Sequence, residues 1–125
     1  MNLRRLALEL IGCNENIRDE QCLMRALAAG VASSGATLLS TARAEYCPHG
    51  LTLVCFLAES HVILTTWPEY GLAVLDLLAC GNIRFDEIDR ALHECLTPVH
   101  SQRTAADSFV KTCHLGSPKA FAADR

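Results

Sequence analysis

Leu6, Leu8 and Leu10 alternate with Arg5, Ala7 and Glu9 near the start of the chain. A period of two puts the leucines on one side of an extended strand and the other three on the opposite side. The period changes after a loop at 12–16. Leu23, Leu27 and Val31 recur at helical spacing, Asp19 and Glu20 stand where a helix N-terminus favours negative charge, and Ser33-Ser34-Gly35 supplies a stop. Residues 36–45 read as a second strand. The turn Cys47-Pro48-His49-Gly50 leads into 51–58, an almost wholly apolar segment that predicts a central strand. Residues 60–66 carry the strand formers Val62, Ile63 and two threonines, with no turn residue before them. One long strand bends near Glu59, or a tight break falls there.

Beyond this point the spacing predicts two helices. Pro68 suits a first helical turn, Leu72, Leu75 and Leu78 make an apolar face, and Gly81 caps the end. The second helix begins near Asp86 and presents Ile88, Ala91, Leu92 and Cys95. Residues 96–103 read as a last strand, which Pro98 demotes to an edge, and the tail from Thr104 reads as loose. The order β-α-β-β-β-α-α-β predicts an α+β two-layer sandwich. Its mainly antiparallel sheet is covered on one face by helices, within one domain of residues 1–125.

Composition narrows the function classes. The chain has 125 residues, half of them apolar, which is enough for a real core. Its net charge is -3 and it has no basic stripe, so neither nucleic acid nor an acidic membrane surface is an expected partner. No apolar run is long enough to span a bilayer. The start has Arg4 and Arg5 but then Glu9, and reads as mature fold, not as a signal peptide. Seven cysteines occur without a Cys-x-x-Cys pair, so zinc-ribbon and thioredoxin readings lack their spacing and no metal is expected. Six of them read as small buried hydrophobes in a reducing cytoplasm; Cys80 is set apart.

The chemistry concentrates in Ala58-Glu59-Ser60-His61, Thr66-Trp67-Pro68-Glu69 and Ala79-Cys80-Gly81. Singly, each residue has an ordinary reading. Ser60 is a polar strand residue, Cys80 a buried thiol at a helix end, Glu69 a first-turn carboxylate and His61 a solvent-facing side chain. Jointly, the run resembles the self-cleaving centre of the prokaryotic S-adenosylmethionine decarboxylases, whose pattern is roughly Glu-Ser-His, a short strand, Thr-Trp-Pro-Glu, then Thr-Cys-Gly. Ser34-Gly35-Ala36-Thr37 and Tyr46-Cys47-Pro48-His49-Gly50 are also similar to that family. The resemblance covers roughly residues 3–103.

The resemblance implies a proenzyme cut between Glu59 and Ser60, giving chains 1–59 and 60–125. The Ser60 hydroxyl attacks the Glu59 carbonyl, the ester eliminates, and position 60 becomes a pyruvoyl group. Its ketone supplies Schiff-base chemistry for decarboxylation, so no external cofactor is needed. On the same resemblance Cys80 donates a proton, Glu69 contacts the ribose of a nucleoside, Tyr46 stacks on adenine, and Trp67 joins the substrate site. Thr52 and Thr65 fall at processing positions where the family has serine and histidine, and Arg5 falls where it has histidine. Tyr46 stands where phenylalanine is usual. The implied activity is decarboxylation of S-adenosylmethionine for spermidine and other polyamines, by a cytoplasmic homodimer. The rival readings are a pyruvoyl-dependent ornithine or arginine decarboxylase on the same scaffold, and an unprocessed, non-catalytic binding homologue.

Overall fold

The leucine alternation becomes β1 (Asn2–Ile11), with Leu6, Leu8 and Leu10 buried on one side. The computed structural model describes residues 1–111. A short 3₁₀ turn (Glu15–Arg18) leads into α1 (Glu20–Ser34), where the Asp19 carboxylate accepts from the Cys22 backbone N–H at 3.1 Å and caps the helix. Gly35, with φ +88°, closes it, as the Ser33-Ser34-Gly35 stop predicts. β2 (Leu38–Glu45), β3 (Leu51–Leu57) and β4 (Ser60–Trp67) follow as an antiparallel meander. A second 3₁₀ turn (Pro68–Tyr70), β5 (Leu72–Cys80), α2 (Phe85–Leu96) and β6 (His100–Phe109) complete the described chain.

The six strands form one sheet in the order β2-β3-β4-β5-β1-β6, antiparallel at every junction. Both helices lie on one side, so the α+β two-layer sandwich stands. The core sits between them. Leu8, Leu10, Leu53, Leu64 and Leu75 from the sheet meet Leu23, Leu27, Ile88, Leu92 and Leu96 from the helices, all essentially sealed from solvent. Each such side chain contributes about 1.5–3 kcal/mol relative to an exposed one. The helices cross closely because Gly30 has no side chain: a Cβ there would lie 2.8 Å from the Ile88 Cα.

Four expectations need correction. The helix predicted from Pro68 to Gly81 is the 3₁₀ turn plus β5. Leu72, Leu75 and Leu78 fit a spacing of three, but they do not share a face. Leu75 is buried beneath the helices, whereas Leu72 and Leu78 are half-buried on the other side. The governing pattern is Ala73, Leu75, Leu77 and Ala79, a period of two inside a nearly continuous apolar run, as a central strand requires. Cys80 therefore ends a strand and not a helix, and Glu69 lies in a 3₁₀ turn and not in a helix's first turn.

The last strand begins at His100, after α2 has run to Leu96. It is an edge, but Pro98 lies in the connection before it. The part of the tail expected to be loose from Thr104 continues β6 to Phe109, because β1 offers it a full-length partner from Asn2↔Phe109 to Ile11↔His100. Finally, among the described residues only Cys55 of the cysteines read as core is buried. Cys13, Cys22 and Cys95 are half-buried and Cys47 is exposed, while Cys113 lies outside the described residues.

Candidate active site

Between β3 and β4 the chain reverses in two residues, Ala58 and Glu59, both exposed, with Leu57 paired to Ser60. The tight break near Glu59 is thus the form the chain takes. Glu59 sits at φ +64°, the left-handed region that favours glycine. A non-glycine residue held there costs on the order of 1–2 kcal/mol. Here the surrounding pairing holds it: the Ala58 N–H donates to the Thr37 carbonyl at 3.0 Å, and both strands are locked into the sheet. The peptide bond that follows Glu59 leads to Ser60, the half-buried first residue of β4.

Cys80 lies at the same end of the sheet. β4 pairs with β5 as His61↔Leu78, so one further step of the register brings Ser60 opposite Ala79 and diagonal to Cys80. Cys80 also pairs with Leu3 of β1, and the next N–H, that of Gly81, donates to the Asn2 carbonyl at 3.2 Å. The strand alternation assigns Cys80 to the face away from the helices, with Leu78 and Asp76, and gives Ser60 the opposite parity.

The remaining predicted residues gather at the other end of β4. Thr52 and Thr65 are cross-strand partners on the uncovered face, with hydroxyl oxygens 3.1 Å apart. The Tyr46 hydroxyl lies 2.8 Å from the Thr52 hydroxyl. Three hydroxyls stand in a row, each able to donate and to accept. The backbone beside them is fixed by Thr66, whose buried hydroxyl accepts from the Leu51 N–H at 3.1 Å and donates to the Leu51 carbonyl at 3.4 Å. Gly50, at φ +95°, lets the turn close over this point: a Cβ would stand 2.5 Å from the Thr66 carbonyl oxygen. Trp67 and Glu69 follow directly and are exposed, and Tyr46 is about half exposed.

The predicted residues thus fall into two clusters. Ser60, Glu59 and Cys80 occupy one end of the sheet; Tyr46, Thr52, Thr65, Trp67 and Glu69 occupy the other. Five positions of β4 separate Ser60 from Thr65, which is about 17 Å at roughly 3.3 Å per residue.

A cavity of about 340 Å³ opens on the uncovered face of β4, β5, β1 and β6, lined among others by Arg5, His61, Asp76 and Thr104. His61, read from the sequence as a solvent-facing side chain, lies by strand alternation on the face opposite Ser60 and is half-buried. Sequence reasoning missed Asp76. The available signal is that Asp76 is the one charged residue in the run from Leu72 to Cys80, since a lone carboxylate in a central strand asks for a reason. The Cys13 and Cys55 thiols are pushed up by burial, which suits inert packing thiols. Among the described residues, no group of three or more His, Cys, Asp or Glu side chains is placed to hold a metal, and no helix is long and apolar enough to cross a membrane.

Comparison with known proteins gives one family. The sequence pattern of the family described as S-adenosylmethionine decarboxylase matches residues 4–108. A proenzyme of that name from Synechococcus sp. (strain WH7803) is 38% identical over 105 residues, spanning 83% of this chain and 80% of the relative. The proenzyme from Methanococcus vannielii is 39% identical over 80 residues, spanning 63% of this chain and 66% of the relative, just under two thirds of its length. The crystal structure of the adenosylmethionine decarboxylase from Aquifex aeolicus superposes with a TM-score of 0.74 at 28% identity, covering 85% of this chain and 88% of that one. A Trypanosoma brucei structure at 12% identity and a TM-score of 0.60, covering 80% of this chain and 44% of that one, shares the fold. With 4–108 matched and the sheet-and-helix arrangement shared, the chain belongs to the S-adenosylmethionine decarboxylase family.

Proposed function

We propose that this chain is a proenzyme that cuts itself between Glu59 and Ser60 and then decarboxylates S-adenosylmethionine, the reaction that supplies aminopropyl groups for polyamine synthesis. The observation that carries the proposal is Glu59. A left-handed, non-glycine residue at an exposed hairpin tip stands directly before a serine with family-like flanks. Strain at a residue whose carbonyl is to be attacked raises the ground state of the bond to be broken, and strain of this kind persists where the fold over-determines it. Cleavage leaves chains 1–59 and 60–125. It also frees position 60 from the constraint that sets its parity in β4, so the new terminus can turn toward Cys80.

The residues at the Ser60 end fit a pyruvoyl group at that position. Once formed, the group supplies the electron sink for loss of carbon dioxide. Cys80 then holds and delivers the proton that replaces the carboxyl group. At the opposite end, Tyr46 and Trp67 offer aromatic surface to a purine, and Glu69 offers a carboxylate to ribose hydroxyls. Thr52 and Thr65 orient the proton traffic of processing through their paired hydroxyls, with the Tyr46 hydroxyl as the third member. No member of this row is a base near neutral pH, so cleavage is slow. The exposed His49 in the adjoining turn is the free candidate for proton removal.

The 17 Å gap between the two clusters fits a homodimer. The uncovered sheet face carries exposed Phe56, Trp67 and Ile11 around the half-buried Val54, Ile63, Val74 and Leu78, an apolar surface that asks for a cover. A two-fold axis between two such faces, crossing the strands, reverses strand direction. It sets the Ser60–Cys80 end of one protomer against the Tyr46–Thr65–Glu69 end of its partner. Both sites are then shared. The compartment consistent with this chemistry is the cytoplasm.

Two measurements test the reading. Carbon dioxide release is expected from S-adenosylmethionine and not from ornithine or arginine; the reverse would reassign the substrate. Cys80→Ala and Glu69→Ala, each defective alone, are expected to recover about a quarter of wild-type activity when mixed and re-equilibrated. About half the dimers are then mixed, and each mixed dimer holds one intact site. Absence of any recovery in verified mixed dimers contradicts the shared site.

A further inference from the structure

The helical layer holds a pair of sulfur atoms that the chemistry above does not use. Cys22 lies in the first turn of α1 and Cys95 in the last turn of α2, and their Sγ atoms are 3.3 Å apart. Both backbones are pinned. The Asp19 carboxylate accepts from the Cys22 N–H at 3.1 Å, while the side-chain amides of Asn14 and Asn16 donate to the Cys95 carbonyl at 3.1 and 2.9 Å. Both side chains are half-buried, so they are fixed by packing yet open to a small oxidant. A disulfide needs its sulfurs at about 2.05 Å, which leaves roughly 1.3 Å to close, within reach of small side-chain rotations.

These two residues lie on opposite sides of the Glu59–Ser60 bond. We infer that Cys22 and Cys95 form a reversible oxidative clasp, a disulfide made by a peroxide, which rejoins the two chains of the matured protein covalently. The rejoining rests on the cleavage reading above; the disulfide itself does not.

Burial, and after it the hydrogen bond with the adjacent Cys22 sulfur, pushes the Cys95 thiol up to about 12, so Cys95 enters the reaction as a thiol. The Cys22 thiolate attacks one oxygen of hydrogen peroxide. The O–O bond breaks, hydroxide leaves and takes up the thiol's proton as water, and Cys22 becomes a sulfenic acid. The Cys95 sulfur then attacks the Cys22 sulfur; the S–O bond breaks, and the departing hydroxide leaves with the Cys95 proton as a second water. Two thiols and one peroxide give one disulfide and two waters. Dithiothreitol reverses the change by thiol exchange.

The physical consequence differs between the two forms of the protein. In an uncut chain the clasp closes a loop and limits the unfolded ensemble. In the cut protein, 1–59 and 60–125 have no peptide bond between them, and the clasp makes their separation impossible without a reductant. The melting midpoint is expected to rise by about 5 °C or more on oxidation.

The test is denaturing electrophoresis of matured protein treated with hydrogen peroxide, with and without dithiothreitol, together with proteolytic mapping by mass spectrometry. The expected result is one full-length band without reductant and two fragments with it, plus a linked Cys22–Cys95 peptide lighter by about 2 Da than its two thiol halves. Cys22→Ser and Cys95→Ser each lose the band, and Cys47→Ser, at an exposed thiol, keeps it. Peptide mapping of wild type answers the question even if a serine variant does not fold. Fragments that part without reductant, and no linked peptide after peroxide, overturn the clasp. If the protein is never cut, the linked peptide still appears, so failure of the cleavage reading is told apart from failure of this one.

Discussion

The two faces of the sheet follow different rules. The buried strand positions toward the helices form a regular ladder of Leu, Val and Ala, with Cys55 and the satisfied hydroxyl of Thr66 among them. The other side mixes Thr52, Thr65, His61, Asp76 and Arg5 with Phe56 and Trp67. The first is what a sandwich needs to fold. The second buries little, and it carries Thr52, Thr65, Trp67 and Cys80 of the residues proposed for the chemistry. Stability and chemistry are therefore separated across a single layer of backbone, and substitutions on each face are expected to fail differently.

The largest effect is expected at the junction of the two regimes. Ser60→Ala removes the attacking hydroxyl while leaving the β3–β4 pairing intact. It is expected to leave one uncut chain with no decarboxylase activity and an ordinary melting curve; activity in this variant would sink the pyruvoyl assignment. Next comes Cys80→Ala, with turnover expected to fall on the order of 10²–10⁴-fold at unchanged stability. Cys95→Ala is the control and is expected to be kinetically mild. Equal losses in both would demote Cys80 to packing.

On the covered face, Leu75→Ala is expected to cost about 2–5 kcal/mol of stability, read by denaturant titration. Whatever stays folded should still be cut at Glu59–Ser60. A Leu75 variant that is stable but uncut would break the separation of the two faces. The smallest effect is expected from Thr65→His. The histidine supplies a titratable base in the hydroxyl row, and the uncut precursor should disappear several-fold faster in a time course. If wild type already matures within minutes and the variant is no faster, another base has taken over.

The covered face was legible because burial there leaves a period. Leu6, Leu8 and Leu10 announced β1, and Leu23, Leu27 and Val31 announced α1. β2 and β6 are exposed along their whole length as edges of the sheet, so no alternation marked the end of β6 and its last residues read as tail. β5 failed differently. Buried beneath the helices and half-covered on its other side, it shows leucines at every second and third position, which a helix also satisfies. Gly71 and Gly81 on either side of a nine-residue run were the deciding signal.

The site was legible as motifs but not as a place. Glu59, Ser60 and Cys80 were grouped only because a family pattern tied them together; the local sequence put Cys80 at a helix end, and the strand register sets it diagonal to Ser60. Nothing in the local sequence places Glu59 in the left-handed region, since the tip lacks Gly, Asn or Pro. The split of the named residues into two distant clusters depends on strand register, which is a property of the folded sheet. The pairing of Cys22 with Cys95, 73 positions apart, is likewise set only by how the two helices pack.

The central claim is that the Glu59–Ser60 bond breaks itself, and intact-mass measurement of the purified protein tests it most directly. The account predicts two species, 1–59 and 60–125, the second with a blocked, keto-bearing first residue that reacts with a hydrazine probe. A single uncut chain after prolonged incubation under native conditions, with no hydrazine-reactive group, would contradict it.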